Sequence, residues 1–262
     1  MRLASKKIAP AALALAMLAC LGAGAMAKEA ARPGIPDFVS AAVNDPARGK
    51  AVENDARRKV AALVAFSEAK PGDSVLELIP GSGYFTRVFS KVVGAKGRVY
   101  ALWPEQYDKV SQPDSNKLRA TAKQPGFGNI QVLVQPANAL RTPHPVDVVF
   151  TSQNYHDYND PFMAPVDVET LNRQVFQALK PGGTWLIVDH VAQAGSGMRD
   201  TDSLHRIDPA LVRKQVEAAG FVFVGESDVL RNPKDSHKLK VFDPSIRRFT
   251  DQFAYKFRKP AK

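Results

Sequence analysis

The chain has 262 residues, of which 45% are hydrophobic and 24% are charged, and its formal net charge is +10 at pH 7. This composition excludes an intrinsically disordered or collagen-like chain and predicts one globular domain. The Lys and Arg residues are scattered, and neither a zinc-finger spacing nor a basic stripe with interleaved aromatic residues occurs, so we expect no nucleic-acid partner.

The N-terminus has the pattern of an export signal over residues 1–27. Three basic residues precede an apolar run rich in Ala and Leu, and small residues favour cleavage after Ala27. The run is short and is interrupted by Pro and Gly, so we expect no stable membrane span. The sequence therefore predicts an exported protein, with the periplasm as the expected location. Lipid attachment through Cys20, the single cysteine, is the alternative.

The elements that follow predict an α/β architecture. Residues 28–69 predict an arm rich in Pro and Gly and then a helix over about 51–69, before a domain over 70–262. Strand patterns occupy residues 74–79, 97–103, 130–135, 146–151 and 183–190. Helices are predicted from residues 83, 167 and 209, whereas the polar sequence after the second strand is predicted to be irregular. This alternation predicts a parallel sheet with covering helices, and two last strands, 221–227 and 252–257, should pair antiparallel at its edge.

The turn after the first predicted strand has the pattern of a nucleotide-type cofactor loop. Gly81 and Gly83 lie between the buried strand and an amphipathic helix, where glycines let the backbone approach a ligand closely and the helix N-terminus offers unpaired N–H groups. A dinucleotide fingerprint requires a third glycine, and Thr86 occupies that position. Glu77 just before the turn favours S-adenosylmethionine over NAD as the cofactor. A purely structural role for the glycines and for Glu77 is the alternative.

Together with the turn Lys180-Pro181-Gly182-Gly183 and the two last strands, this loop resembles a class I S-adenosylmethionine-dependent methyltransferase over roughly residues 70–258. The motifs Asn154-Tyr155-His156-Asp157 and His205-Arg206-Ile207-Asp208 are similar to those of a group of exported bacterial proteins described as predicted methyltransferases. The resemblance implies a Rossmann-like fold: a mostly parallel seven-stranded sheet with an antiparallel C-terminal hairpin strand and helices on both faces.

The resemblance also implies a set of cofactor-binding residues. Glu77, Gly81 and Gly83 match the first motif, in which Ile79 replaces the first glycine. Either the Ile79 side chain points away from the methionine portion of the cofactor or the pocket is altered. The remaining candidates are Trp103 as an adenine platform, Glu105 on the ribose, Asn138 near the adenine amino group and Asn154. Core packing of Trp103 and turn chemistry of Asn138 are the alternatives.

The chemistry is expected in the loop after the fourth strand, because ligands bind at the carboxyl ends of parallel strands. His156 is the predicted proton acceptor, with Asp157 orienting its ring or acting as the base itself, and Tyr155 beside them. His190 and His205 are predicted to line the acceptor pocket. Metal binding is the weaker interpretation because no H-x-x-x-H or H-E-x-x-H pair occurs, and ordinary loop hydrogen bonding is the other alternative for these histidines.

These residues lead to two functional hypotheses. The first is methyl transfer from S-adenosylmethionine to an oxygen, nitrogen or sulfur atom of a small molecule. The second is a non-catalytic periplasmic ligand-binding protein that retains the methyltransferase fold. The sequence indicates no particular oligomeric state.

Overall fold

The computed structural model describes residues 34–163 and 166–262, so the predicted export signal and Cys20 lie outside the described residues. Residues Ile35–Lys262 form one compact unit. Seven strands build its sheet: β1 (Ser74–Leu78), β2 (Arg98–Pro104), β3 (Ile130–Gln135), β4 (Val146–Ser152), β5 (Leu179–His190), β6 (Val222–Ser227) and β7 (Gln252–Arg258). Across the sheet they run in the order β3-β2-β1-β4-β5-β7-β6. Strands β1 to β5 are parallel, and β7 is antiparallel to both β5 and β6, which confirms the predicted fold.

Helices cover both faces of the sheet. The α-helices are α1 (Asp37–Val43), α2 (Asp55–Arg58), α3 (Val60–Ser67), α4 (Tyr84–Val93), α5 (Glu105–Ala122), α6 (Val168–Ala178), α7 (Thr201–Leu204) and α8 (Pro209–Ala218). Short 3-10 helices span Pro46–Asn54, Ala137–Ala139, His156–Asn159 and Pro161–Met163. One apolar core packs α6 and α8 against the sheet around Trp185, and the other packs α1, α3 and α4 around Phe150. Because both faces are covered, most residues of β1 and β4 and residues 183–190 of β5 are buried.

The predicted helix starts are confirmed by their hydrogen bonds. The Asp167 carboxylate accepts from the backbone N–H groups of Glu169 and Thr170, and the Asp208 carboxylate accepts from the N–H of Ala210. Each cap satisfies donors that the first helical turn leaves free. Pro209 occupies the first turn of α8, where a proline's missing N–H leaves no helical hydrogen bond unmade.

Two predicted segments differ from the structure. The segment after β2 was predicted to be irregular, but it forms the helix α5. Its sequence gave little helical signal because its apolar periodicity is weak and Pro113 lies inside it. The fully buried Leu118 holds the helix against the core. The predicted helix over 51–69 is divided into a 3-10 helix, α2 and α3, because Lys59 between the last two has a left-handed φ of 49°. The N-terminal helices pack in the same compact unit as the sheet.

No helix among residues 34–163 and 166–262 is long and apolar enough to cross a membrane.

Candidate functional site

The turn between β1 and α4 has the backbone that its two glycines predict. Gly81 has φ 55° and Gly83 has φ 81°, a region that side-chain-bearing residues rarely adopt. A Cβ atom on Gly81 would meet nothing within 4 Å, whereas one on Gly83 would lie 2.5 Å from Leu118 Cδ1. Gly81 therefore leaves open space at the helix N-terminus, and Gly83 allows α5 to pack closely against the turn.

Asn154 joins the loop after β4 to this turn. Its buried side chain donates from Nδ2 to the Ile79 carbonyl at 2.7 Å, while its Oδ1 has no hydrogen-bond partner among the described residues. Ile79 has a left-handed φ of 48°, and its side chain is buried in the core, away from the open space, as expected. The hydrogen bond from Asn154 therefore stabilises Ile79 in a strained backbone conformation. The open space above Gly81 and the unpaired Asn154 Oδ1 fit a polar ligand such as S-adenosylmethionine.

Glu77 lies beneath the turn and does not face solvent. Its carboxyl group is buried and accepts a hydrogen bond from Thr86 Oγ1 at 2.5 Å. Thr86, which occupies the third glycine position of a dinucleotide fingerprint, is thus the hydrogen-bond partner of Glu77. Burial raises the pKa of Glu77 to about 8, against smaller lowering effects of Thr86, Arg58 and Arg87. Glu77 is therefore mostly protonated at neutral pH and links β1 to α4.

The other predicted cofactor residues have different environments. Trp103 is fully buried in the core around Phe150, and its Nε1 has no partner among the described residues, so the structure supports the packing alternative. Glu105 is exposed at the first turn of α5. Asn138 is exposed after β3, where its Oδ1 accepts from the Asp167 N–H at 3.3 Å. Glu105 and Asn138 lie at the carboxyl edge of the sheet, and their contact with the cofactor stays a prediction.

His156 is held between two carboxylates. Its Nδ1 lies 2.9 Å from Asp189 Oδ1, and its Nε2 lies 3.2 Å from Asp157 Oδ1. Asp189 also accepts from the backbone N–H groups of His156 and His190, at 2.9 and 2.8 Å. Asp189, at the end of β5, was not predicted from the sequence. The available signal was an acidic residue that follows an apolar strand at its carboxyl end.

This geometry favours a charged imidazolium. Burial by itself lowers the pKa of His156, but the charge of Asp189 and the hydrogen bonds to Asp157 and Asp189 outweigh it and raise the pKa to about 10. Burial raises the pKa of Asp157, and this effect is exceeded by hydrogen bonds and charge from His156 and His205, which lower the pKa to about 2. Neither group is a free base at neutral pH, so the geometry does not support the predicted role of His156 as proton acceptor.

The two histidines predicted to line the acceptor pocket lie on either side of His156. His205 packs edge-on against His156 with ring centroids 5.5 Å apart, and its Nδ1 lies 3.9 Å from Asp157 Oδ1. His190 is buried, bonds through Nδ1 to Thr250 Oγ1 at 2.8 Å, and has a pKa lowered to about 3, mainly by burial. Ligand atoms of His156, Asp157 and His205 lie within 4.8 Å of one another, a spacing that a metal ion could also bridge. The expectation of no metal stays a prediction.

Tyr155 points in the opposite direction, into the core. Its ring is fully buried with its centroid 5.9 Å from that of Trp185, and its hydroxyl contacts Asn172 and Gln215 on α6 and α8. Burial raises the pKa of this hydroxyl. The structure therefore favours a packing role for Tyr155 over the predicted catalytic one.

A cavity of about 400 Å³ opens at the carboxyl edge of the sheet, between Phe85 in the first turn of α4 and Ser152 at the end of β4. We call it the cationic cavity because its walls include five basic residues, Arg57, Arg58, Lys59, Arg231 and Arg248. Sequence reasoning missed it. The run of three basic residues at 57–59 was visible, but its partners lie more than a hundred residues later in the chain.

Comparisons with known proteins identify related methyltransferases. The family model described as Protein-L-isoaspartate(D-aspartate) O-methyltransferase (PCMT) matches residues 48–227. A protein-L-isoaspartate O-methyltransferase of Ignicoccus hospitalis is 36% identical over 75 residues, which is 29% of this chain and 33% of that protein. A 2-phytyl-1,4-naphtoquinone methyltransferase of Synechococcus elongatus is 34% identical over 127 residues, 48% of this chain and 49% of that protein. The chain thus spans between a third and a half of the length of these two relatives.

Solved structures share the fold. A SAM-dependent methyltransferase from Aquifex aeolicus has a TM-score of 0.54 at 19% identity, over 82% of this chain and 98% of that one. The order of the strands, the open turn above Gly81 and the match over residues 48–227 point to the same group of proteins. The chain belongs to the protein-L-isoaspartate(D-aspartate) O-methyltransferase family, a family of S-adenosylmethionine-dependent methyltransferases.

Proposed function

We propose that the protein transfers the methyl group of S-adenosylmethionine to an oxygen, nitrogen or sulfur atom of a small molecule. The observation that carries the proposal is the turn after β1, which keeps open space above Gly81 while Asn154 fixes its backbone. Bound there, the cofactor supplies an electrophilic methyl group on a sulfonium. The free N–H groups of α4 and the unpaired Asn154 Oδ1 would hold its polar groups.

The contribution of this chain to transfer is mainly alignment. Methyl transfer requires the acceptor atom in line with the sulfonium carbon, and holding two reactants in that geometry removes much of the barrier. The buried group of His156, Asp157 and Asp189 fixes the loop that carries Asn154, because Asp189 binds both the ring and the backbone N–H of His156. We assign it this positioning role in place of proton removal. The non-catalytic hypothesis is not favoured, because the open turn is retained.

We also propose that the protein is exported, is periplasmic, and belongs with the exported bacterial proteins described as predicted methyltransferases. The charged start and the cleavage motif at Ala27 support this, and no nucleic-acid partner is expected from the scattered charge. Mass spectrometry of the protein purified from a periplasmic fraction tests it. A chain that begins at Lys28 is expected. A lipid-modified chain that begins at Cys20 would support membrane attachment, and recovery of the uncut chain only in the cytosol would contradict export.

Calorimetric titration with S-adenosylmethionine and with its demethylated product, S-adenosylhomocysteine, tests the cofactor site. Micromolar binding of both is expected for an active enzyme. The substitution Gly81→Val fills the open space and should abolish binding. Gly182→Val is the matched control, because Gly182 also has a positive φ of 80° and open space for a Cβ, but it lies at the opposite edge of the sheet.

The control separates backbone strain from ligand exclusion. A side chain at either position costs about 1–3 kcal/mol of strain, so both variants should unfold at lower urea concentration. Only Gly81→Val should lose cofactor binding. Equal affinity in the Gly81→Val variant and the wild type would refute the placement of the cofactor, and failure of the folded wild type to bind either compound would refute the proposed function.

A further inference from the structure

We propose that the cationic cavity binds the acceptor of the methyl group, and that this acceptor is an apolar organic molecule with a carboxylate or phosphate group. The inference rests on the proposed function and deepens it, since it names the class of acceptor. Three features of the cavity carry it: its largely unpaired positive charge, its position between the first turn of α4 and the end of β4, and the presence of both apolar and basic side chains in its walls.

Most of the positive charge of the cavity has no carboxylate partner among the described residues. Arg57, Arg58, Lys59 and Arg248 form no ion pair with a carboxylate of the described residues, and only Arg231 has one, with Asp251 at 2.8 Å. Within the part of the chain that the structure describes, no Asp, Glu or His side chain lines the cavity. Burial lowers the pKa of Arg57, and the nearby charge of Arg248 lowers it further, so these two like charges repel each other. An anion in the cavity would relieve this repulsion.

The position of the cavity fits an acceptor. Its wall includes Phe85 on α4, Ser152 at the end of β4, and Gln153, which directly precedes Asn154. The side chain of Asn154 binds the turn. Arg58 fixes this junction: its guanidinium lies 4.8 Å from the ring centroid of Phe85 and donates to Ser152 Oγ at 3.4 Å. The cavity is therefore bounded by the first turn of α4, which follows Gly83, and by the residues that directly precede Asn154, and we place the acceptor there.

The apolar side chains of the wall indicate the character of the uncharged part of the ligand. Apolar side chains line it together with the basic ones: Leu63, Phe85, Val188, Val229, Leu230 and Phe249. Phe249 is 68% exposed at the rim, which is unusual for a large aromatic side chain. A cavity of about 400 Å³ is large enough for a compact organic anion. Apolar walls with a few cations favour an amphipathic anion over an inorganic one.

Binding of three naphthalene compounds tests the proposal without any need for turnover. We would titrate the full-length protein with 1-naphthyl phosphate, 1-naphthoate and the uncharged 1-naphthol, each with and without S-adenosylhomocysteine. Both anions are expected to bind at least about tenfold more tightly than naphthol, since a charge-assisted hydrogen bond is worth more than a factor of ten. The two anions show whether phosphate or carboxylate is preferred. Both should bind together with S-adenosylhomocysteine.

Three single substitutions locate the site. Arg57→Gln and Arg248→Gln should each weaken anion binding by about tenfold. Arg247→Gln is the matched control: it removes the same charge from the neighbouring exposed residue, which does not line the cavity. It should leave the affinity unchanged.

Several outcomes overturn the proposal. Equal affinity for naphthol and the anions would remove the role of charge, and an equal loss in the Arg247→Gln variant would indicate unspecific surface attraction. Displacement of the anions by S-adenosylhomocysteine would mean that the cations bind the carboxylate of the cofactor. Failure of the proposed methyl transfer would give a different result from failure of the acceptor proposal. In that case the anions would bind in the cavity, and S-adenosylhomocysteine would not bind at all.

Discussion

The substitution Asp189→Asn should remove a large part of the stability of the protein in a way that depends on pH. Asp189 is fully buried, and its two oxygens accept three hydrogen bonds, from His156 Nδ1 and from the backbone N–H groups of His156 and His190. Asparagine keeps the shape but removes the charge and replaces one acceptor with a donor. Removing one partner of a buried pair costs about 3–5 kcal/mol, and we expect a loss of that size near neutral pH.

The pH dependence follows from the pKa of His156. This pKa is raised from 6.5 to about 10 in the folded protein, so the charged pair contributes fully below about pH 6.5 and loses its contribution as the pH rises through about 10. Between these values the contribution falls by about 1.4 kcal/mol per pH unit. The Asp189→Asn variant lacks the charge of Asp189, which is the largest effect that raises the pKa of His156. The difference in unfolding free energy between wild type and variant should therefore shrink by about 2–3 kcal/mol from about pH 7 to about pH 9.

Urea unfolding at the two pH values measures this difference. Asp235→Asn is the matched control, because Asp235 pairs with the fully buried Arg206, whose charge does not change in this range. Its loss of stability should be the same at both pH values. Equal losses for Asp189→Asn at both pH values, or an NMR titration of wild-type His156 with a midpoint near 6.5, would refute the argument that His156 is an imidazolium.

Two further predictions concern the turn. The Glu77→Gln variant should gain stability relative to the wild type as the pH rises. The pKa of Glu77 is raised from 4.5 to about 8 in the folded protein, so the wild type loses unfolding free energy as the pH rises above 4.5, whereas the glutamine does not ionise. A difference in melting temperature between the two proteins that is the same at about pH 5 and about pH 9 would contradict this. Gly83→Ala should destabilise the protein by about 1–3 kcal/mol, since its Cβ would lie 2.5 Å from Leu118 Cδ1 at a positive φ; urea unfolding measures the cost, and the second substitution Leu118→Ala in the same chain should reduce it.

The turn between β1 and α4 shows which features of the site local sequence patterns can predict. Gly81 and Gly83 were recognisable because a buried strand, a turn and an amphipathic helix follow one another within about twenty residues. Local signals likewise predicted the helices from residues 167 and 209, which Asp167 and Asp208 cap in the structure. Sequence patterns did not indicate that Gly83 accommodates α5, because Leu118 approaches it from a helix whose polar, proline-containing sequence lacks clear periodicity.

The sequence by itself determined the architecture: alternating apolar strands and helices, with two last strands and short capped connections, permit few sheets other than this one. Only the tertiary structure decided the chemistry of the site. His156 meets Asp189 from a different strand, Tyr155 turns into the core between α6 and α8, and the residues of the cationic cavity come from both ends of the chain. Hydrophobic periodicity is a property of neighbouring residues, whereas the charge and burial of a side chain depend on groups that only folding brings together.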